Sequence, residues 1–70
     1  MTDRRLLRII YEESENSSTG EADGQTVVQR YGPGFHDAFK GLIQAGYISE
    51  RGTASAITLT ASGRRAAERL

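Results

Sequence analysis

The clearest alternation of apolar and polar positions in the chain lies between residues 35 and 46. Apolar side chains recur there at three- and four-residue spacing, at Phe35, Phe39, Leu42 and Ile43. This is the spacing of one buried helical face. Gly46 ends the pattern, because a residue without Cβ adopts the left-handed cap conformation at little cost. The sequence therefore predicts a helix over residues 34–46.

Two short β-prone runs follow this helix, at residues 47–49 and 56–59. The residues between them, 51–55, are typical of a hairpin tip. Thr60 then stands where it can cap a last helix over residues 61–70. Small and apolar residues fall on one face of that helix, at Gly63, Ala66, Ala67 and Leu70. The second half of the chain thus predicts a helix, a hairpin and a capped helix, in that order.

The N-terminal segment predicts another amphipathic helix, from Asp3 to about Glu13, with Thr2 as its cap. Its apolar stripe is broad enough for both a core and a dimer partner, and we favour the core alone; it comprises Leu6, Leu7, Ile9, Ile10 and Tyr11.

Residues 14–24 show no periodicity and contain one small apolar residue, Ala22. They predict a mobile acidic surface loop. Residues 25–31 fit either a short helix or a strand, because Val27 and Val28 are β-branched while Val27, Val28 and Tyr31 share a helical face.

Gly46-Tyr47-Ile48, the hairpin, and the run from Leu59 to Arg64 (Leu-Thr-Ala-Ser-Gly-Arg) resemble the C-terminal half of winged helix-turn-helix domains. The similarity is to MarR-like and PadR-like bacterial transcriptional regulators. It implies an α+β winged helix with a three-helix helix-turn-helix core, a two-stranded wing hairpin and a short C-terminal helix. Under this resemblance residues 22–31 form the first helix of the helix-turn-helix. The turn is then Gly32-Pro33-Gly34, whereas the family has one Gly followed by a small apolar residue.

The resemblance also implies a DNA-binding surface, since the exposed face of the corresponding helix enters the major groove in this family. It makes His36, Lys40 and Gln44 the candidates on helix 34–46. It adds Arg51, Thr53 and Ser55 on the wing, residues 49–56, as contacts to the backbone or the minor groove. Asp37 shares the helix face and would repel phosphates.

Composition limits the alternatives. The 70 residues are enough for one small domain, their formal net charge is zero, and there is no cysteine. No His, Asp and Glu spacing suggests a metal site or a catalytic set, so we expect no enzyme and no cofactor. No apolar run reaches membrane-spanning length, which favours a cytoplasmic protein.

Two functions remain open at this point. The first is a small winged-helix transcriptional regulator that binds double-stranded DNA, with a homodimer as its expected assembly. The second is a winged-helix module that binds a protein partner without binding DNA. The second is favoured by the zero net charge, the acidic segment and Asp37.

Overall fold

The structure is a computed structural model that describes residues 3–49 and 56–70. Within these residues the chain is an α+β domain with four helices and a two-stranded antiparallel sheet. The elements in chain order are α1 (Arg4–Asn16), β1 (Ala22–Asp23), α2 (Gly24–Tyr31), α3 (Phe35–Gln44), β2 (Ala56–Ile57) and α4 (Ala61–Glu68).

Helix α1 supplies the largest share of the core. Its predicted stripe is buried at Leu6, Leu7, Ile9 and Ile10, while Tyr11 is half-buried. The other helices, both strands and the segment after α3 complete the core with Ala22, Val27, Leu42, Ile48, Ile57 and Ala67. The apolar stripe that looked wide enough for a dimer partner is therefore used almost entirely inside the molecule.

The start of α1 differs from the prediction. Asp3, not Thr2, is the N-cap, and its carboxylate accepts a 2.9 Å hydrogen bond from the N–H of Leu6. Thr2 lies outside the described residues. A carboxylate three residues before an N–H at a helix start satisfies one of the unpaired donors there.

The loop predicted at about residues 14–24 is shorter than expected. Helix α1 continues to Asn16, and Ser14 is buried with its hydroxyl donating to the carbonyl of Tyr11 at 2.8 Å. At the other end of the segment, β1 pairs with β2 in the register Ala22 to Ile57. Ala22 is fully buried. The acidic segment thus contributes to both a helix and the sheet.

Residues 25–31 are helical, which decides the choice that the sequence left open. Asp23 caps α2 by accepting from the N–H of Thr26, and only Gly24 and Val27 of this helix are buried. The turn that follows has positive φ at Gly32 and at Gly34, +90° and +89°. These two glycines allow Pro33 to sit in a tight turn that reverses the chain into α3.

Helix α3 ends as predicted, at a left-handed glycine. Gly46 has φ of +81°, and its N–H bonds to the carbonyl of Ile43. The N–H of Tyr47 bonds to the carbonyl of Leu42, which completes a Schellman motif.

The two β-prone runs after α3 meet in antiparallel fashion, at a bridge between Ile48 and Leu59. The N–H of Ser49 bonds to the carbonyl of Thr58. Among the described residues, the two-residue strand β2 pairs with β1. The predicted hairpin therefore carries a third segment, Ala22–Asp23, along its second run. Its tip falls in the undescribed stretch between residues 49 and 56.

Helix α4 is capped by Thr60, as predicted. The Thr60 hydroxyl accepts from the N–H of Gly63 and donates to the carbonyl of Gly46, so the cap also joins α4 to the end of α3. Gly63 packs directly on the backbone of Tyr47, where a Cβ would lie 2.1 Å from the Tyr47 carbonyl oxygen. The two helices are thus fixed to each other through backbone contact.

Candidate nucleic-acid interface

The outer face of α3 presents the three helix residues that the sequence selected. His36, Lys40 and Gln44 are all exposed, and their four-residue spacing places them in one row along the helix. The side chains of Lys40 and Gln44 form no hydrogen bond or ion pair with another described residue. Their polar groups are therefore available to a ligand.

Asp37 is also exposed on this face, as the sequence indicated. It stands in the first turn of α3, where a carboxylate interacts favourably with the helix dipole. Asp37 thus has a structural role, because it stabilises the start of α3. The other exposed polar side chains of this face can donate hydrogen bonds to a ligand.

The opposite side of α3 is only lightly anchored. Leu42 is its single buried residue, while Phe35, Ala38, Phe39 and Ile43 are half-buried. The rings of Phe35 and Phe39 stack with centroids 5.2 Å apart, and the His36 ring meets the edge of Phe35 at 5.8 Å. This aromatic contact orients His36 at the edge of the exposed row.

The start of α3 is joined to α1 through Tyr31 at the end of α2. The Tyr31 ring packs edge-on against Phe35, with centroids 6.5 Å apart. The guanidinium of Arg5 lies 5.0 Å from the Tyr31 ring centroid and donates to the Tyr31 carbonyl at 3.1 Å. The Tyr31 hydroxyl donates to the carboxylate of Asp3. Tyr31 lies 26 residues from Arg5 and 28 from Asp3, so no local sequence signal joins it to them.

This network changes the ionisation of both end groups. Burial pushes the pKa of Asp3 upward, but the hydrogen bonds from the Tyr31 hydroxyl and from backbone N–H groups outweigh burial and leave that pKa below its ordinary value. The hydrogen bond to Asp3, together with burial, raises the pKa of Tyr31. Each group thus stabilises the other in the form that it has at neutral pH.

The carboxylates of α1 are paired with the chain's own arginines. Glu12 binds Arg30 at 2.8 Å and Arg8 at 3.5 Å, and Glu13 lies 3.7 Å from Arg30. The hydrogen bond from Arg30 holds the pKa of Glu12 below its ordinary value.

Helix α4 is also paired with α1. Arg64 lies 3.9 Å from Glu15, and it forms no ion pair with Glu68 one turn along α4. In the described part of the chain, the cations without an ion pair are Arg4, Arg5, Lys40, Arg65 and Arg69.

The predicted site has two parts, the row of exposed residues on α3 and the wing. Arg51, Thr53 and Ser55, the wing candidates, lie outside the described residues. Of the six predicted DNA-binding residues, the structure describes the three on α3, which are His36, Lys40 and Gln44.

Other chemistry receives no support from the described residues. Among them, no three His, Asp or Glu side chains are grouped so that they could hold a metal ion. None of the helices in the described part of the chain has the length and apolar character needed to cross a bilayer.

Comparison of the chain with protein-family models, with curated proteins and with solved structures gives no match.

Proposed function

We propose that this protein is a small winged-helix DNA-binding protein, a transcriptional regulator acting in the cytoplasm. It would bind duplex DNA with the exposed face of α3 and with the wing at residues 49–56. The order of elements is compatible with this fold, since α2, the turn at residues 32–34 and α3 are followed by an antiparallel pair of runs and a final helix.

The exposed row on α3 is the observation that carries the proposal. His36, Lys40 and Gln44 are exposed along one row of the helix. An α-helix fits the major groove of B-DNA, where base edges present hydrogen-bonding groups. Gln44 can pair with adenine through two hydrogen bonds, and Lys40 can donate to guanine or to a phosphate.

The start of α3 offers a second support. Its N-cap is Gly34, and no side chain satisfies the backbone N–H groups of its first turn. Helices α1, α2 and α4 are all capped by side chains, from Asp3, Asp23 and Thr60. Unpaired N–H groups at a helix start can bind a phosphate oxygen, which would orient α3 on the DNA backbone, while Asp37 in the same turn opposes this contact.

The surface ion pairs affect how the charges are distributed and leave the net charge at zero. Glu12, Glu13 and Glu15 each lie within 4 Å of an arginine, so these carboxylates and their arginines offset one another locally. No described carboxylate lies within ion-pair distance of Lys40. A modest, strongly salt-dependent affinity for duplex DNA is the expected result.

A homodimer remains part of the proposal, but not through the α1 stripe. Leu6, Leu7, Ile9 and Ile10 are buried in the core of a single chain. Two copies would have to meet through another surface. The α3 helix of each copy would then bind one half of a two-part DNA site.

The experiment is a fluorescence anisotropy titration of a labelled random duplex, at low and at moderate salt. We expect binding that falls steeply with salt. Lys40→Ala should weaken binding and lower the salt slope by about one if Lys40 contacts phosphate. Arg65→Ala is the matched control, because it removes one exposed, unpaired cation from α4. No binding at low salt, or equal losses in the two variants, would contradict the proposed interface.

The protein-binding alternative rests on two observations. Asp37 is exposed beside Lys40, and Phe35 and Phe39 are only half-buried along the same helix. If the duplex titration fails, Phe39→Ala and Asp37→Ala become the informative variants, since a protein partner would use the aromatic edge and the carboxylate that DNA would avoid.

A further inference from the structure

We propose that the groove between α1 and α4 binds an acidic, amphipathic helical segment of a partner protein. This groove, here the arginine groove, has a volume of about 730 Å³. Four arginines and four apolar or aromatic residues line it: Arg4, Arg5, Arg8, Arg69, Leu7, Tyr47, Ala66 and Leu70.

The charge of the arginine groove specifies a negatively charged occupant. No Asp or Glu is among its lining residues. Arg4 and Arg69 form no ion pair with the described residues, whereas Arg8 is 3.5 Å from Glu12 and Arg5 is held by Tyr31. Two guanidinium groups from different helices can therefore each take a carboxylate, with the planar, two-pronged geometry that favours arginine for this purpose.

The apolar part of the groove favours a protein segment over a nucleic acid. Leu70 is 48% exposed, and Tyr47 and Ala66 are half-buried. A phosphate backbone would leave these surfaces in contact with water. A helix with apolar side chains on one face would cover them, and the small Ala66 allows that helix to approach closely.

The far end of the groove sets the direction of the partner. A second depression of about 430 Å³ continues past Arg8 and Leu70 and is also lined by Tyr11, Glu12, Ala67 and Glu68. Its two carboxylates would repel acidic side chains, so those of the partner belong in the arginine groove, whose lining has no Asp or Glu. The α1 residues that line the two depressions run from Arg4 to Glu12 and span about 12 Å, which a partner helix of roughly 12–14 residues would cover.

This inference goes beyond the DNA-binding proposal and does not depend on it. No lining residue of the arginine groove belongs to α3. A partner could therefore bind at α1 and α4 while α3 remains open to DNA.

The probe is a fluorescein-labelled, 14-residue synthetic helix with leucines on one face and glutamates on the rest of its first two turns. A second peptide carries glutamine in place of each glutamate. Anisotropy titration should show binding of the glutamate peptide, at least roughly tenfold tighter than that of the glutamine peptide, which corresponds to about 1.4 kcal/mol. Added salt should reduce this difference.

The protein variants locate the binding. The double variant Arg4→Gln with Arg69→Gln should weaken binding of the glutamate peptide by roughly tenfold. Arg65→Gln, which removes a cation on α4 outside the groove, should change it by less than about twofold. Circular dichroism checks that each variant is folded. All three side chains are exposed and unpaired, so substitution should leave the core intact.

Three results would overturn the inference: equal binding of the two peptides, an equal loss with Arg65→Gln, or no binding of the glutamate peptide at low salt. If duplex DNA displaces the glutamate peptide and loses affinity in the double variant, the groove is a nucleic-acid site instead. The duplex titration with Lys40→Ala tests α3 separately, so either proposal can fail without the other.

Discussion

Helices α1 and α3 have similar amphipathic sequences but opposite roles in the structure. Helix α1 buries four large apolar side chains and Ser14, and Asp3 caps its start. Helix α3 buries only Leu42 and begins at a glycine without a side-chain cap. The difference shows that an apolar stripe in the sequence does not reveal how fully it is covered. Helix α1 is a core element, and α3 is a helix laid on the core with most of its surface open.

The largest expected change in the free energy of unfolding tests whether the apolar face of α1 is more fully buried than that of α3. Leu6→Ala in α1 removes a fully buried side chain and should cost about 2–5 kcal/mol in the free energy of unfolding. Ile43→Ala in α3 removes a half-buried side chain of the same size and should cost about half as much or less. Urea titration measures both. Equal losses would mean that α3 is packed as firmly as α1.

The second prediction compares how a Cβ added at a glycine changes the stability of α4 and of α3. Gly63→Ala in α4 places a Cβ against the Tyr47 backbone and should destabilise the protein by about 1–3 kcal/mol. Gly41→Ala in α3 meets no neighbouring atom and should stabilise by up to about 1 kcal/mol through helix propensity. Thermal unfolding by circular dichroism would show shifts of opposite sign. A loss of stability in Gly41→Ala would contradict the open position of α3.

Gly41→Ala also informs the DNA-binding proposal. If DNA approaches α3 closely at this position, the variant should be more stable and yet bind the duplex less well. Unchanged binding would leave Gly41 without a role in recognition.

The smallest expected effect concerns the connection between α1 and the start of α3. Tyr31→Phe removes the hydrogen bond to Asp3 and should lower the free energy of unfolding near neutral pH by less than Gly63→Ala does. Because the folded pKa of Asp3 is lowered, its contribution is present above the ordinary value and lost as the pH falls below about 4. Because the folded pKa of Tyr31 is raised, its contribution is present below about pH 10 and lost as the pH rises further.

Urea titrations from pH 2 to 11 check this pair. The loss of stability at both extremes should be smaller in Tyr31→Phe than in the unmodified protein. Tyr47→Phe is the control, since its hydroxyl forms no hydrogen bond with another described residue. Identical pH profiles for Tyr31→Phe and the unmodified protein would show that the contact does not couple the two helices.

Much of the fold was predictable from local patterns. The helical periodicity located α1, α3 and α4, and Thr60 and Gly46 act at the helix ends where the sequence placed them. The exposed positions of His36, Lys40 and Gln44 also followed from periodicity, because a buried face determines the opposite one. These features depend on residues within one or two turns of each other.

The sequence by itself thus determined α1, α3 and α4, the caps at Gly46 and Thr60 and the polar face of α3, because turn geometry and periodicity are local properties. Only the tertiary structure decided that residues 25–31 are helical. Only the tertiary structure decided that Ala22–Asp23 is a strand, since a two-residue strand exists only where another strand offers its backbone groups. It also decided which arginines remain unpaired and where the arginine groove lies. Both depend on α1 and α4 meeting in space, at opposite ends of the chain.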